Sequence, residues 1–99
     1  MDKITVQCDP DLEDLIPGYI NNRRKDIVTI QDCLGNNDFD KIRTIGHSMK
    51  GSGGGYGFDA ITVLGDRLEI AALASSSEEI NLAARELEDF ILRVEVVYS

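Results

Sequence analysis

"GHSMKGSGGGYG", residues 46–57, holds the only histidine of the chain and six of its nine glycines. How this stretch is read decides the fold. Glycine runs suggest nucleotide loops, but the phosphate-loop pattern G-x-x-x-x-G-K-[ST] is absent, because the order here is Lys50-Gly51-Ser52 and no strand precedes it. Gly55-x-Gly57-x-x-Ala60 fits only the loosest dinucleotide pattern and lacks the βαβ setting that pattern requires. The residues just upstream give the alternative. Phe39, Ile42, Gly46 and Met49 recur at helical spacing, so the stretch continues an amphipathic helix, capped by Asn37 or Asp38, with His47 in its middle.

Working outward, the same periodicity predicts three more helices and a short extra one. Towards the N-terminus, Asp9 and Pro10 form an N-cap and first-turn pair that opens a short helix with Leu12, Leu15 and Ile16 on one face, until Pro17 interrupts it. A longer helix follows, with Ile20, Ile27, Ile30 and Leu34 inward, "NRRKD" (22–26) on a solvated face, and Gly35 followed by two asparagines at its end. Beyond the glycines, Ile61, Leu64, Leu68, Ala71 and Ala72 make an inward face, with Asp59 at the favourable N-terminal end. Ser76 with Glu79 forms a capping box, after which Ile80, Ala84, Leu87, Ile91 and Val94 repeat at helical spacing to the C-terminus; "ELED" (86–89) is solvated. The expected fold is all-α: an antiparallel up-down four-helix bundle with a short extra N-terminal helix. Residues 1–99 form one domain, and segment 1–8 is extended because "ITV" (4–6) has no strand to pair with.

Composition narrows the function classes. Ninety-nine residues at 42% hydrophobic suffice for one core and not for two. A net charge of −8 argues against nucleic acid or an anionic membrane as a bulk partner. No apolar stretch is long enough to span a bilayer, and "MDKITVQ" has no apolar leader region, so the chain reads as cytoplasmic. Cys8 and Cys33 show neither zinc-ligand nor disulfide-framework spacing and read as reduced and structural.

His47 lies one step round the helix from Gly46, at the edge of the buried face, and is expected to be exposed. Arg43 stands at i−4, Lys50 at i+3 and Gly51 at i+4, with Gly54 a further turn along. From Lys41 to Phe58 there is no acid, so the patch reads as locally positive, without a carboxylate cluster near the histidine. Glycine in a helix costs about 1 kcal/mol relative to alanine, and the run of glycines makes sense where a large partner must approach. A neutral imidazole is a nitrogen nucleophile near pH 7, and a lysine one turn away neutralises phosphoryl oxygens. That pairing suits phosphoryl transfer.

These residues carry a family resemblance. "HSMKGSGGGYG" resembles the H-x-x-K-G-x-x-x-x-x-G signature of histidine-containing phosphotransfer (HPt) domains, matching at His47, Lys50, Gly51 and Gly57. "VLGDRLE" stands where that family has a leucine-rich helix ending in Leu-Glu, so the resemblance covers most of the chain; Gly55 departs from it, since many members carry a polar side chain there. The resemblance implies that His47 accepts a phosphoryl group from a receiver aspartate or a histidine kinase and passes it to a receiver domain. Lys50 would stabilise the phosphate and Gly51 would give clearance. Arg43, Thr44, Ser48 and Gly54 would join the docking surface, with Met49 in the core. The expected product is a monomeric phosphohistidine carrier without kinase or ATPase activity of its own, binding no metal or cofactor; the Mg2+ would belong to the receiver partner. The alternative is an unphosphorylated helical scaffold that binds receiver or kinase domains.

Overall fold

The computed structural model describes residues 2–99; Met1, the first residue of the segment expected to be extended, lies outside them. Four helices fill the middle of the chain: α1 (Ile16–Gly35), α2 (Phe39–Tyr56), α3 (Asp59–Leu73) and α4 (Ser77–Arg93). Their boundaries follow the local chemistry. The Asp38 carboxylate accepts from the Lys41 N–H at 3.2 Å and the Ser76 hydroxyl from the Glu79 N–H at 3.3 Å, each satisfying a donor that the first helical turn leaves free. Gly57, at φ 95°, ends α2 in the left-handed conformation; its N–H and that of Phe58 reach back to the carbonyls of Gly54 and Gly53, a Schellman motif. The glycine run is therefore helical up to Tyr56, as the apolar stripe requires.

Most residues of the expected inward faces are buried, with Leu34 and Phe39 half-buried against the core. Ile30, Ile42, Met49, Ile61, Leu68, Ile80 and Leu87 have no exposed surface and join in one core. Burying a side chain of this size contributes about 1.5–3 kcal/mol, so these stripes, rather than helix propensity, hold the bundle together. The α2–α3 contact is the most extensive; α3 also packs on α4, and α1 on both α2 and α4.

The α2–α3 contact is tight because both helices place glycine at the crossing. A Cβ on Gly46 would stand 2.7 Å from the Glu69 nitrogen and 2.8 Å from the Gly65 oxygen, and a Cβ on Gly65 would stand 2.4 Å from the Lys50 nitrogen. Further along, a Cβ on Gly53 would meet the backbone nitrogen and hydroxyl of Thr62, both at 2.7 Å. Residue 46 faces 65 and 69 while 53 faces 62 and 58. α1 closes over this pair through Tyr19, whose hydroxyl is 2.8 Å from the Ser52 hydroxyl and whose ring stacks on Tyr56 at 4.1 Å.

Three expectations are corrected. The chain is not all-α: β1 (Ile4–Cys8) pairs in parallel with β2 (Val94–Tyr98), Ile4 opposite Val94 and Cys8 opposite Tyr98. Segment 4–6 thus has a partner, and Val94 is the first residue of a strand rather than the last inward residue of α4. In both strands alternate residues turn inward (Ile4, Val6 and Cys8; Val94, Val96 and Tyr98), and β-branched side chains favour that pleated, half-buried surface. The short N-terminal helix is a single 3-10 turn, Pro10–Leu12, capped by the Asp9 carboxylate; Leu15 is 56% exposed, and Pro17 sits in the first turn of α1, where its missing N–H leaves nothing unpaired. The 22–26 face is not wholly solvated, because the Arg23 guanidinium lies 4.4 Å from the Tyr19 ring centre and pairs with Asp26 at 2.8 Å.

Burial pushes the thiols of Cys8 and Cys33 above the ordinary cysteine range, so both stay protonated and unreactive in the folded chain.

The glycine crossing generates a stability prediction. Gly46→Ala forces a methyl group into the α3 backbone and is expected to cost about 1–3 kcal/mol in urea unfolding. Gly51→Ala adds its methyl where nothing lies within 4 Å and is expected to be neutral or to gain up to about 1 kcal/mol. Equal midpoints for the two variants would contradict the close packing.

Candidate functional site

His47 projects from the middle of α2 with 76% of its side chain exposed, one residue beyond the glycine that α3 packs against. Because Gly46 and Gly65 let the backbones meet, the next turn of α3 is brought alongside the imidazole. Glu69 Oε2 lies 2.9 Å from His47 Nδ1, and Glu69 itself is only 19% exposed. Its other oxygen is 3.6 Å from the Lys50 ammonium, which is also 3.0 Å from Asp66 Oδ1. Glu69 therefore bridges the histidine and the lysine, and Asp66 takes the lysine's other side.

This arrangement has chemical consequences. An ionised carboxylate only accepts hydrogen bonds, so the neutral imidazole must carry its proton on Nδ1 and donate it to Glu69. The lone pair is then on Nε2. The hydrogen bond and charge of Asp66, followed by the charge of Glu69, hold the Lys50 ammonium above the ordinary lysine range, so Lys50 is a cation throughout the physiological range. The His47 imidazole is thus oriented with a bare Nε2 and has a positive charge one turn away.

The expected surface residues lie around it. Arg43, Thr44, Ser48, Gly51 and Gly54 are all exposed on α2. The Thr44 hydroxyl donates to the Asp40 carbonyl at 3.1 Å, a local helix bond that leaves Thr44 at the rim. Beyond Gly51 there is open space, whereas a Cβ on Gly54 would be in ordinary contact with Thr62 and Asp59. The Gly54 N–H donates to the Thr62 hydroxyl at 2.8 Å, and that hydroxyl donates in turn to the Lys50 carbonyl at 3.3 Å. Thr62 thereby ties the glycine-rich turns of α2 to α3. Met49 is fully buried, as its place on the stripe requires.

The expectation of a purely positive patch is corrected. The acid-free run from Lys41 to Phe58 is real in sequence, but α3 places two carboxylates against it, Asp66 and Glu69. Sequence reasoning missed these two and Thr62. The available signal was Gly65: a small residue beside the Leu64 and Leu68 stripe, facing a second glycine on α2, marks a close helix crossing, and a crossing at 46 and 65 places 66 and 69 beside 47 and 50.

Among the described residues, no group of three or more His, Cys, Asp or Glu side chains is placed to hold a metal ion. Two surface grooves lie elsewhere, one between α3 and α4 near Ile70 and Glu79, another between α1 and α4 near Val28 and Leu92. Among the described residues no helix is long and apolar enough to cross a membrane. Comparison of the chain with known protein families, with curated proteins and with solved structures finds no match.

The tautomer is directly measurable. In 15N-resolved NMR of the imidazole, at a pH where the ring is neutral, His47 is expected to show a protonated Nδ1 and a bare Nε2. Glu69→Ala removes the acceptor and is expected to shift the ring towards the Nε2–H form. A wild-type ring protonated on Nε2 would contradict the assignment.

Proposed function

We propose that this protein is a phosphohistidine carrier of the HPt type, an up-down antiparallel bundle that accepts a phosphoryl group on His47 Nε2 and hands it to a receiver domain. The observation that carries the reading is the Glu69 contact: it fixes the proton on Nδ1 and leaves Nε2 as an exposed nucleophile with Lys50 one turn away. The motif at His47, Lys50, Gly51 and Gly57 supports it independently.

In the step, the Nε2 lone pair forms an N–P bond as the bond between phosphorus and the donor oxygen breaks, and that electron pair leaves with the donor carboxylate. The ring keeps its Nδ1 proton and gains positive charge, which the Glu69 carboxylate offsets. Transfer to an acceptor aspartate reverses these events. The transition state is loose, so the chain contributes mainly in-line positioning and charge. Lys50 faces the phosphoryl oxygens, and the open space beyond Gly51 lets a partner's surface come close. On α3, Ile70 and Leu73 lie one turn beyond Asp66 and Glu69, are 58% and 67% exposed, and offer apolar contact area to a partner. The divalent cation and acidic pocket that phosphoryl transfer uses belong, in this reading, to a cytoplasmic receiver partner.

Mutants separate the roles. His47 is the only histidine, so no second site can mimic it. His47→Gln keeps a polar side chain of similar reach and is expected to fold, bind a receiver and accept no label from a phosphorylated receiver. Lys50→Ala is expected to accept label several-fold more slowly. Gly51→Leu is expected to keep the helical circular dichroism of the wild type while losing most transfer, because its side chain projects into the approach path. Label moving to His47→Gln as fast as to wild type would overturn the reading and leave the scaffold alternative in its place.

A further inference from the structure

Lys50 is the cation best placed to meet phosphoryl oxygens on His47, yet α3 already engages it. Asp66 Oδ1 is 3.0 Å from the ammonium and Glu69 Oε1 is 3.6 Å from it, and Glu69 is also held by the imidazole. Asp66 is different from Glu69: it touches the lysine but not the ring among the described contacts, it is 44% exposed, and it stands one turn N-terminal of Glu69 on the same side of α3. Nothing in the core depends on it, since the buried residues of α3 are Ile61, Leu64, Gly65, Leu68, Ala71 and Ala72. A carboxylate whose one ion pair is with the phosphate-facing lysine must be answered for when phosphate arrives.

We propose that Asp66 is a positioning residue that weakens the hold of the site on its phosphoryl group, by competing for Lys50 and by presenting a like charge to the phosphoryl oxygens. The inference rests on the phosphotransfer reading of His47. A phosphoryl group on Nε2 that recruits Lys50 must share its ammonium with Asp66, which weakens that ion pair and leaves the carboxylate facing negative oxygens. Both effects raise the free energy of the phosphorylated form relative to the free form. The domain is thereby biased towards donating its phosphoryl group rather than storing it. At a site this exposed the effect is screened by water and salt, so it amounts to about two- to fivefold in the transfer equilibrium, larger at low ionic strength.

A small phosphoryl donor tests this without a receiver. With phosphoramidate protonated on its nitrogen, His47 Nε2 takes the phosphoryl group, the P–N bond of the donor breaks, and ammonia leaves with that electron pair; phosphorus NMR at fixed ammonium and pH gives the exchange constant. Asp66→Asn is expected to raise that constant about two- to fivefold over wild type, Asp66→Glu to bring it back towards wild type, and high salt to shrink the difference. In a Lys50→Ala background, Asp66→Asn is expected to keep only the part of its effect that comes from like charge, because the competition is gone. An Asp66→Asn constant equal to that of wild type would overturn the proposal. Failure of loaded wild-type protein to pass phosphate to any receiver is a separate outcome: it would remove the phosphorelay reading while the exchange constants still decide the role of Asp66.

Discussion

The contact between Gly46 and Gly65 is the constraint on which the rest depends. Two helices bearing ordinary side chains at these positions would stand further apart, since even a single methyl group at 46 would overlap the α3 backbone. At the greater separation Glu69 could not reach the imidazole at hydrogen-bond distance, and Lys50 would lose both of its carboxylate neighbours. The glycines therefore act on the chemistry indirectly. They cost helix stability, the tight crossing recovers it through close packing, and the product is a nucleophile whose proton and counter-charge are set by the neighbouring helix. Gly51 has a different part: it has open space where 46, 53 and 65 have backbone, and so bears on what approaches from outside.

The remainder of the fold holds that helix pair in place. α4 covers α3 with the most sharply two-sided pattern in the chain, burying Ile80, Ala83, Ala84, Leu87, Phe90 and Ile91. α1 locks onto the glycine-rich end of α2 through Tyr19, Ser52 and Tyr56. The parallel β1–β2 ribbon draws the two ends of the described chain together, aided by the Ser99 N–H donating to the Cys8 carbonyl and the Arg93 guanidinium donating to the Asp2 carbonyl.

Helix positions were legible in the sequence because a stripe of apolar residues at a period of 3.6 is a local signal, and the caps at Asp38 and Ser76 are local too. The ribbon was not, for the opposite reason. Its strands come from the two ends of the chain, each is only five residues long, and "VEVVY" continues the spacing of α4 well enough to be read as a final helical turn. Only the pairing of Ile4 with Val94 makes the period-two reading win. The site divided along the same line. His47, Lys50 and Gly51 share one helix face and follow from spacing; Asp66 and Glu69 reach them across a helix crossing, and net charge along a segment carries no record of what another segment places against it.

The most direct test of the account is the position of the N–P bond. Wild-type protein charged from a phosphorylated receiver, with 15N-labelled histidine, reports by phosphorus–nitrogen coupling which ring nitrogen carries the phosphoryl group. The account predicts a single adduct, on Nε2 of His47, with the Nδ1 proton retained towards Glu69. An adduct on Nδ1, or a charged protein with no phosphohistidine, would contradict it.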